Sequence, residues 1–397
     1  MDLSYGKHVE DYVRRLAGRL GVPDFVYQPK LVTKGAANRE ISDGLLIAGS
    51  HGLIVQTKAR DKTAGVNDDA RRAEAWCEKH AAHAPRQGLG TKRQLLAGDV
   101  SVVSMRGYSR PVPDPKNWPI LVVLHHSAIP PVHLPSFANT IYMSLDDWLG
   151  LHTLIRSTHG LISYVERALA APISVPIGGE RERYDRLAAA DVRWATYSAM
   201  SVPVLPMEPL TRDELFAADV FTELMEFMAD PTSIGWDSDQ YLRLIERLDR
   251  TPMLARVTVG RKMIAAFQDM VESQSRRSFG VLDRSSSSRL LIMYEYDDSP
   301  RVDLSDRSFT AHLHGYTALR HIHATEAALD PDAGTLGVGI VHHPIEGRRY
   351  NFVLIEGTPS QMPPDVRETL EIEFGILTKS GGVVLKQVTG STSVTSP

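Results

Sequence analysis

The chain has 397 residues, of which 43% are hydrophobic and 23% charged, with a formal net charge of −4 at pH 7. This composition is typical of a soluble globular protein and excludes a fibrous or wholly disordered chain, while the length predicts two or three domains. The single cysteine, Cys77, excludes an intramolecular disulfide framework and favours a reducing cytoplasm. We find no basic and apolar leader and no membrane-spanning run, so we expect a cytoplasmic protein without membrane insertion.

The first predicted element is a helix over residues 4–20. Ser4 is placed to cap its start, and Gly21 and Pro23 follow where it ends. Its apolar stripe consists of Val9, Val13, Leu16 and Leu20. Glu10 flanks this stripe, at the edge of the face that we expect to be buried. By itself such a glutamate is an ordinary surface residue.

Three β-prone runs come next, at residues 25–33, 41–48 and 53–58. The link over residues 49–52 has a glycine at each end of a short polar centre, which favours a hairpin between the second and third runs. We expect its two central residues, Ser50-His51, to form the turn.

That register places Asp43 opposite Lys58 and Leu45 opposite Gln56. Because side chains alternate along a strand, Asp43, Gln56 and Lys58 all point to one side of the sheet. A carboxylate, an amide and an ammonium in apolar strands cost free energy unless they contact one another, a metal or a substrate. Two interpretations stay open: a cross-strand ion pair, which stabilises by about 0.2–1 kcal/mol, or a metal or substrate site.

The following elements continue an alternation of helices and strands. Asp68 and Asp69 favour the start of a helix, and we expect Pro85 to end it. The inner stripe of that helix consists of Ala73, Trp76, Cys77, His80 and Ala84. The continuous apolar run 120–124 is typical of a strand buried on both faces. A further strand is predicted at residues 141–145 and a helix at 149–169.

These elements predict an α/β fold in which residues 1–170 form a mixed sheet flanked by helices. A Pro- and Gly-rich stretch at 171–183 is the first predicted boundary. A helical region over residues 184–277 and a C-terminal α+β domain over 278–380 follow. We expect the Ser- and Thr-rich segment 381–397 to be a disordered tail.

Positive charge is concentrated around the hairpin although the whole chain is weakly acidic. Twelve lysine and arginine residues lie between positions 30 and 93. Local positive charge matters more than the total for binding a polyanion. We expect Arg60, Lys62, Arg71 and Arg72 to contact phosphates, although any one of them alone is equally typical of a solvated surface.

The spacing of Asp43, twelve residues, Gln56, one residue and Lys58 resembles the PD-(D/E)xK nuclease superfamily, which has the restriction-endonuclease-like fold. The glutamine variant is similar to the type IV, methylation-dependent restriction nucleases. The resemblance implies Mg²⁺, with Mn²⁺ as a substitute, held by Asp43 and Gln56 while Lys58 positions or activates the attacking water. It also implies Glu10 as a second acidic ligand, and the Thr57 carbonyl is a further candidate.

The resemblance implies a metal-dependent DNA endonuclease that hydrolyses phosphodiester bonds in defence against foreign DNA, with DNA repair as a second setting. It implies a homo-oligomer, since such nucleases often cut both strands as dimers, and it leaves room for an activating protein partner. Two departures bear on this function. Ser42 stands where the family usually has proline, and Gln56 replaces the commoner glutamate.

Two other functions stay open. The nuclease fold can be catalytically inactive and serve to bind nucleic acid or to scaffold an assembly. Alternatively, the activity lies in the C-terminal domain around the histidines of 312–323. Histidine pairs two residues apart point to different sides of a helix, although His314 and His321 are spaced to share a face.

Overall fold

The structure is a computed structural model, and it describes residues 5–29, 32–34, 37–39, 42–60, 70–98, 101–171, 173–198, 204–227, 238–274, 277–283, 288–297, 307–326, 334–345, 347–357 and 362–373. The chain forms two compact units, the first made of Met1–Asp191 with Leu205–Pro209 and the second of Val192–Val204 with Leu210–Pro397. None of the helices in the described ranges combines the length and the apolar character needed to cross a bilayer.

The first unit contains an α/β domain built on one large sheet. Its helices are α1 (Tyr5–Leu20), α2 (Ala70–Leu96), α3 (Leu145–Ile155), α4 (Thr158–Ala170) and the part of α5 (Glu180–Ser198) up to Asp191. Its strands are β1 (Val26–Pro29), β2 (Val32–Lys34), β3 (Ala37–Arg39), β4 (Gly44–Ala48), β5 (His51–Arg60), β6 (Ser101–Ser104), β7 (Ser109–Pro111), β8 (Ile120–His126) and β9 (Thr140–Ser144).

Seven of these strands form a mixed sheet in the order β7-β6-β1-β4-β5-β8-β9. β1, β4 and β5 are antiparallel neighbours, whereas β5, β8 and β9 run parallel to one another. The parallel pair of β5 and β8 is joined by a crossover that contains α2, as parallel strands require. The predicted class, a mixed sheet flanked by helices, is therefore confirmed.

The two faces of this sheet are covered by different helices. On one face Ile54, Val122 and Leu124 belong to a buried cluster with Cys77 and Ala84 of α2. On the other face α1 lies against β5, and a Cβ on Gly44 would contact the Arg14 side chain. Because side chains alternate along β5, positions 56 and 58 point to the α2 face, as Ile54 does.

The hairpin of β4 and β5 has a different register from the one predicted. Ala48 pairs with His51, so the turn is Gly49-Ser50 and not Ser50-His51, and Leu45 lies opposite Ile54. Gly49 has a φ of 59°, a left-handed conformation that glycine adopts without a steric penalty. The turn therefore forms one residue earlier than predicted. This two-residue shift in pairing keeps each side chain on its predicted face, since the side-chain period is two.

The predicted end of α2 at Pro85 is wrong, because the helix continues through Pro85 to Leu96. Proline has no N–H to donate to the carbonyl four residues earlier, which here is that of Ala81. The Tyr142 hydroxyl of β9 donates to this carbonyl oxygen at 2.9 Å. Beyond Pro85, Gly88 and Leu95 are buried against the sheet, so the helix gains apolar burial by continuing.

Two further predicted elements are divided in the structure. The predicted helix 149–169 consists of α3 and α4, because Arg156 takes a left-handed conformation with a φ of 46° and Ser157 caps α4 by accepting a hydrogen bond from Gly160 N. The predicted strand 25–33 consists of β1 and β2. Phe25 lies in a short 3-10 turn before β1.

The second unit contains helices followed by a smaller sheet, as its sequence predicts. Its helices are α6 (Arg212–Phe227), α7 (Ser238–Asp249), α8 (Met253–Ser273), α9 (Arg307–Glu326) and α10 (Pro364–Glu373). Its strands are β10 (Arg277–Asp283), β11 (Ser288–Tyr296), β12 (Thr335–His343) and β13 (Gly347–Ile355), and they pair in that order. The predicted boundaries of residues 184–277 and 278–380 stay predictions, and the tail 381–397 lies outside the described residues.

Candidate active site

Asp43 and Lys58 lie together at one end of the β4–β5 hairpin. Asp43 precedes β4, and its Oδ2 accepts a hydrogen bond from the Thr57 backbone N–H at 2.6 Å. The Lys58 Nζ is 3.5 Å from the same oxygen and donates to the Thr57 carbonyl at 2.9 Å. The two side chains are 17% and 18% exposed, so the pair lies at the surface of the unit and not in its core. A ligand from solvent can reach both charges.

Gln56, the next predicted site residue, is buried. Its residue exposure is 3%, and its Nε2 has no hydrogen-bond partner in the part of the chain that the structure describes. A buried amide group without a partner costs free energy, and native proteins rarely leave one. The oxygen and nitrogen of an amide occupy equivalent positions, so a rotation of the group would present the oxygen instead. The Gln56 amide is therefore a candidate to bind a ligand at this end of the hairpin.

Glu10 of α1 lies close enough to Asp43 and Lys58 for their charges to act on it. Burial raises the pKa of the Glu10 carboxyl, and the negative charge of Asp43 raises it further. The ammonium groups of Lys7, which is 3.3 Å away, and of Lys58 lower it in part. Two carboxylates with this mutual repulsion favour a bound cation between or beside them.

Of the predicted metal ligands, Asp43 and Thr57 are in contact and the charge of Asp43 acts on Glu10, whereas Gln56 points to the α2 face of the sheet, so the donor set is sparse. Within the described ranges, no three histidine, cysteine, aspartate or glutamate side chains are grouped closely enough to hold a metal ion. The predicted set does not meet that criterion, since it has two acids, an amide and a carbonyl. Mg²⁺ needs only one or two carboxylates because it keeps several of its waters.

Arg14 is a site residue that the sequence analysis did not identify. It projects from α1 toward the residues that precede β4, and its guanidinium donates to the Asp43 carbonyl oxygen at 3.2 Å while also contacting the Asp11 carboxylate. Arg14 therefore fixes the backbone that carries Asp43. Its position on α1, one helical turn after Glu10, is the sequence feature that could have identified it as a site residue.

Three aromatic rings lie on the α2 face near the same end of the sheet. The Trp76 ring centroid is 4.5 Å from that of His80 and 5.3 Å from that of His126. Burial lowers the pKa of His80, and the positive charge of Lys58 lowers it further. The sequence predicts Trp76 and His80 on the buried stripe of α2, but no local pattern connects them to Lys58.

The predicted phosphate-binding residues are placed unequally. Arg60 ends β5 and is half-buried, and Arg71 and Arg72 are exposed at the start of α2. Lys62 lies outside the described residues. Arg60 is two residues after Lys58, so both side chains point to the same face of the sheet.

The histidines of α9 in the second unit have structural partners. His321 is fully buried, with its Nδ1 3.1 Å from Thr335 Oγ1 and its Nε2 2.8 Å from the Gly357 carbonyl. His323 Nε2 lies 2.9 Å from a Glu371 carboxylate oxygen. His314 is exposed, so it does not share an environment with His321.

A cavity of about 420 Å³ lies beside β9, at the edge of the large sheet. Its walls include Leu134, Ile141, Tyr142, Ser174 and Arg183, and none of its lining residues belongs to the predicted site. Arg183 is already paired with both carboxylate oxygens of Glu180. The cavity and the charged cluster are therefore separate features of the first unit.

No protein-family model, no curated protein and no solved structure matches the chain. Glu10, Asp43, Gln56 and Lys58 come from one helix and one hairpin. Glu10 and Asp43 have carboxylate side chains, and Lys58 has an ammonium.

Proposed function

We propose that the first unit is a Mg²⁺-dependent DNA endonuclease whose catalytic residues are Glu10, Asp43, Gln56 and Lys58. The observation that carries this proposal is the pairing of Asp43 and Lys58 at 3.5 Å, next along the hairpin to the buried Gln56, whose Nε2 has no partner among the described residues. An ion pair alone would explain Asp43 and Lys58. It would not explain an amide buried next to them in an otherwise apolar strand.

The order of elements supports the same proposal. α1 is followed by the antiparallel strands β1, β4 and β5, with β2 and β3 between the first two, then by α2, and, after β6 and β7, by β8 parallel to β5. A helix, three antiparallel strands, a crossover helix and a parallel strand are the order that the PD-(D/E)xK resemblance implies for residues 1–170. We therefore propose a restriction-endonuclease-like fold for this domain.

The donor set fits Mg²⁺, which prefers oxygen ligands. Asp43 and Glu10 would supply carboxylates, Gln56 the amide oxygen, and Thr57 its carbonyl. When bound, the ion makes a water nucleophilic at neutral pH and neutralises charge on the phosphate. The Thr57 N–H holds one Asp43 oxygen in place and leaves the other for a ligand.

Lys58 supplies a positive charge at the point of attack. Its ammonium donates to the Thr57 carbonyl and forms an ion pair with the Asp43 carboxylate. The remaining donors of the ammonium can orient the attacking water or stabilise the charge that develops on the phosphate oxygens. Arg60, Arg71, Arg72 and Lys62 would contact the DNA backbone.

Plasmid cleavage tests the proposal. We expect cutting with Mg²⁺, no cutting with EDTA, and a loss of at least about a hundredfold in Lys58→Ala, which removes one charge from the transition state. Lys116→Ala is the matched control. Lys116 is an exposed lysine that precedes the amino end of β8, whereas Lys58 lies beside the carboxyl end of that strand. Cutting that survives both EDTA and Lys58→Ala would end the proposal.

A catalytically inactive module that binds nucleic acid or scaffolds an assembly is the second candidate. The uncharged Gln56 and the departure at Ser42 favour it, since the site has one anion fewer than a glutamate version would have. DNA binding that persists in Asp43→Ala, without any cutting by the wild type, would select this function. Defence against foreign DNA, a homo-oligomeric state and an activating protein partner remain parts of the first proposal.

A further inference from the structure

The rings of Trp76, His80 and His126 form a cluster that the proposed catalytic mechanism does not use. Trp76 and His80 lie one helical turn apart on α2, and His126 is the last residue of β8. The Trp76 ring is inclined by 51° to the His80 ring and by 49° to the His126 ring. Trp76 is half-buried at the margin of the core, so part of its side chain faces solvent.

This ring cluster lies on the same side of the sheet as the catalytic lysine. In the parallel register of β5 and β8, Lys58 pairs with Leu124 and Arg60 pairs with His126. Lys58, Arg60 and His126 therefore point to one face at the carboxyl ends of the two strands. The helix α2, which carries Trp76 and His80, packs against β5, which carries Lys58.

The composition of the cluster differs from that of ordinary core packing. Two of its three rings are imidazoles, and the His80 Nδ1 is buried with no hydrogen-bond partner among the described residues. The cationic side chains beside it suit phosphates, and its rings suit the planar faces of bases. A nucleotide contains both a phosphate and a planar base.

We propose that Trp76, supported by His80 and His126, forms a stacking surface for one nucleobase next to the phosphodiester that is cut. This inference rests on the proposed nuclease function and names its substrate class, DNA in which that base is unpaired. A base inside a duplex is stacked on both faces and must leave the helix before an aromatic side chain can reach it. Single strands and frayed ends present such a base without that cost.

Binding to the full-length wild type in EDTA tests the stacking surface without any cutting. The probes are a fluorescent oligothymidylate, the same oligonucleotide with abasic linkers in place of its bases, and a duplex of equal length. We expect the oligothymidylate to bind about tenfold more tightly than the abasic strand, since stacking one base on an aromatic ring changes affinity by about that factor. The phosphate charge of the two strands is the same.

Three variants assign the effect to the cluster. We expect Trp76→Ala to lower the affinity for oligothymidylate about tenfold and to leave the affinity for the abasic strand unchanged. Trp76→Phe keeps a ring and should retain most of the preference. Trp194→Ala is the matched control, because Trp194 is a helical tryptophan that is 64% exposed.

Equal affinity of the wild type for the base-containing and abasic strands would overturn the inference, and this comparison needs no variant to fold. A preference for the duplex, or a loss that Trp194→Ala reproduces, would also overturn it. The outcome is separable from that of the nuclease proposal. Cutting without base-dependent binding removes only the stacking surface, whereas base-dependent binding without cutting removes only the catalysis.

Discussion

At the scale of single residues, the burial of Gln56 bears on its proposed role as a metal ligand. A glutamine in the middle of a buried strand is costly unless something accepts its polar atoms, and its Nε2 has no partner among the described residues. Asp43 and Glu10 are nearby anions. The residue at position 56 therefore determines whether two or three anions surround the proposed metal.

Gln56→Glu adds a third anion, and we expect it to lower the Mg²⁺ concentration for half-maximal cleavage about tenfold, or about 1.4 kcal/mol of binding free energy. The same variant should be less stable than the wild type in EDTA, since three anions then repel one another. Plasmid cleavage and thermal melts across a Mg²⁺ titration measure both effects. Gln56→Leu is the control and should weaken the Mg²⁺ response. An unchanged Mg²⁺ dependence in Gln56→Glu would count against direct ligation.

His152 of α3 gives a pH dependence that is independent of the site. Burial lowers its pKa to about 3, and neither ring nitrogen has a hydrogen-bond partner within the described ranges. Its ring packs edge-on to Trp148 at 4.3 Å. Between pH 6.5 and 3 the unfolded chain binds a proton here that the folded chain does not, so stability falls as the pH falls.

We expect His152→Leu to raise the free energy of unfolding by about 1–2 kcal/mol at pH 7, because it removes a buried polar group without partners. Below about pH 6.5 the gain should grow by up to about 1.4 kcal/mol for each pH unit, since the leucine binds no proton. Denaturant titrations at several pH values, from mildly acidic to neutral, measure this. A gain that stays constant with pH would show that His152 protonates in the folded state.

At the scale of elements, α2 depends on a contact with a neighbouring strand. Pro85 leaves the Ala81 carbonyl without its helical donor, and the Tyr142 hydroxyl takes that place. Burial raises the pKa of Tyr142 to about 12, so the hydroxyl keeps its proton at neutral pH. The strand β9 thus stabilises a helix that its own sequence would interrupt.

We expect Tyr142→Phe to lower the free energy of unfolding by about 1–2 kcal/mol, since the Ala81 carbonyl then has no donor. In a Pro85→Ala background the same substitution should cost less, because the backbone of the introduced alanine would supply the missing N–H. A double-mutant cycle from denaturant melts measures the difference. Equal costs in the two backgrounds would mean that the hydroxyl acts elsewhere.

The elements differ in how far the sequence determines them. The stripe of Val9 and Val13 and the apolar run of β8 are local patterns, and α1 and β8 form where these patterns lie. The continuation of α2 through Pro85 depends on Tyr142, which lies far along the chain in another element. No local pattern contains that contact.

The candidate site likewise combines features that follow from local sequence patterns with contacts between distant elements. The alternation along β5 places Gln56 and Lys58 on one face, even with the turn one residue away, and Asp43 reaches the same end of the hairpin through the Thr57 N–H. The contact of Arg14 with the Asp43 carbonyl and the approach of Trp76 to His126 join separate elements. Such contacts depend on how helices pack on the sheet, which residue spacing alone does not give.

At the scale of the whole molecule, the first unit includes residues that follow the stretch 171–183. Tyr184 is fully buried, and its hydroxyl donates to the Pro206 carbonyl at 2.9 Å. Asp191 accepts from Leu205 N at 3.1 Å and pairs with Arg167. A cut at Tyr184 would expose these groups.

We expect a fragment of residues 1–209 to melt cooperatively and at a higher temperature than a fragment of residues 1–183, because the longer one keeps the burial of Tyr184 and the Asp191 contacts. Calorimetry of both fragments measures this. The longer fragment should also retain DNA binding if the first unit carries the function. Identical melting of the two fragments would show that residues 184–209 add nothing to the folded unit.

The return of the chain to the first unit at Leu205–Pro209 has a further consequence for how the protein behaves under proteolysis. A single nick between residues 192 and 204 would leave the downstream peptide anchored by Leu205 and Pro206, although the covalent link is gone. The two pieces should therefore co-elute until a denaturant releases that short anchor.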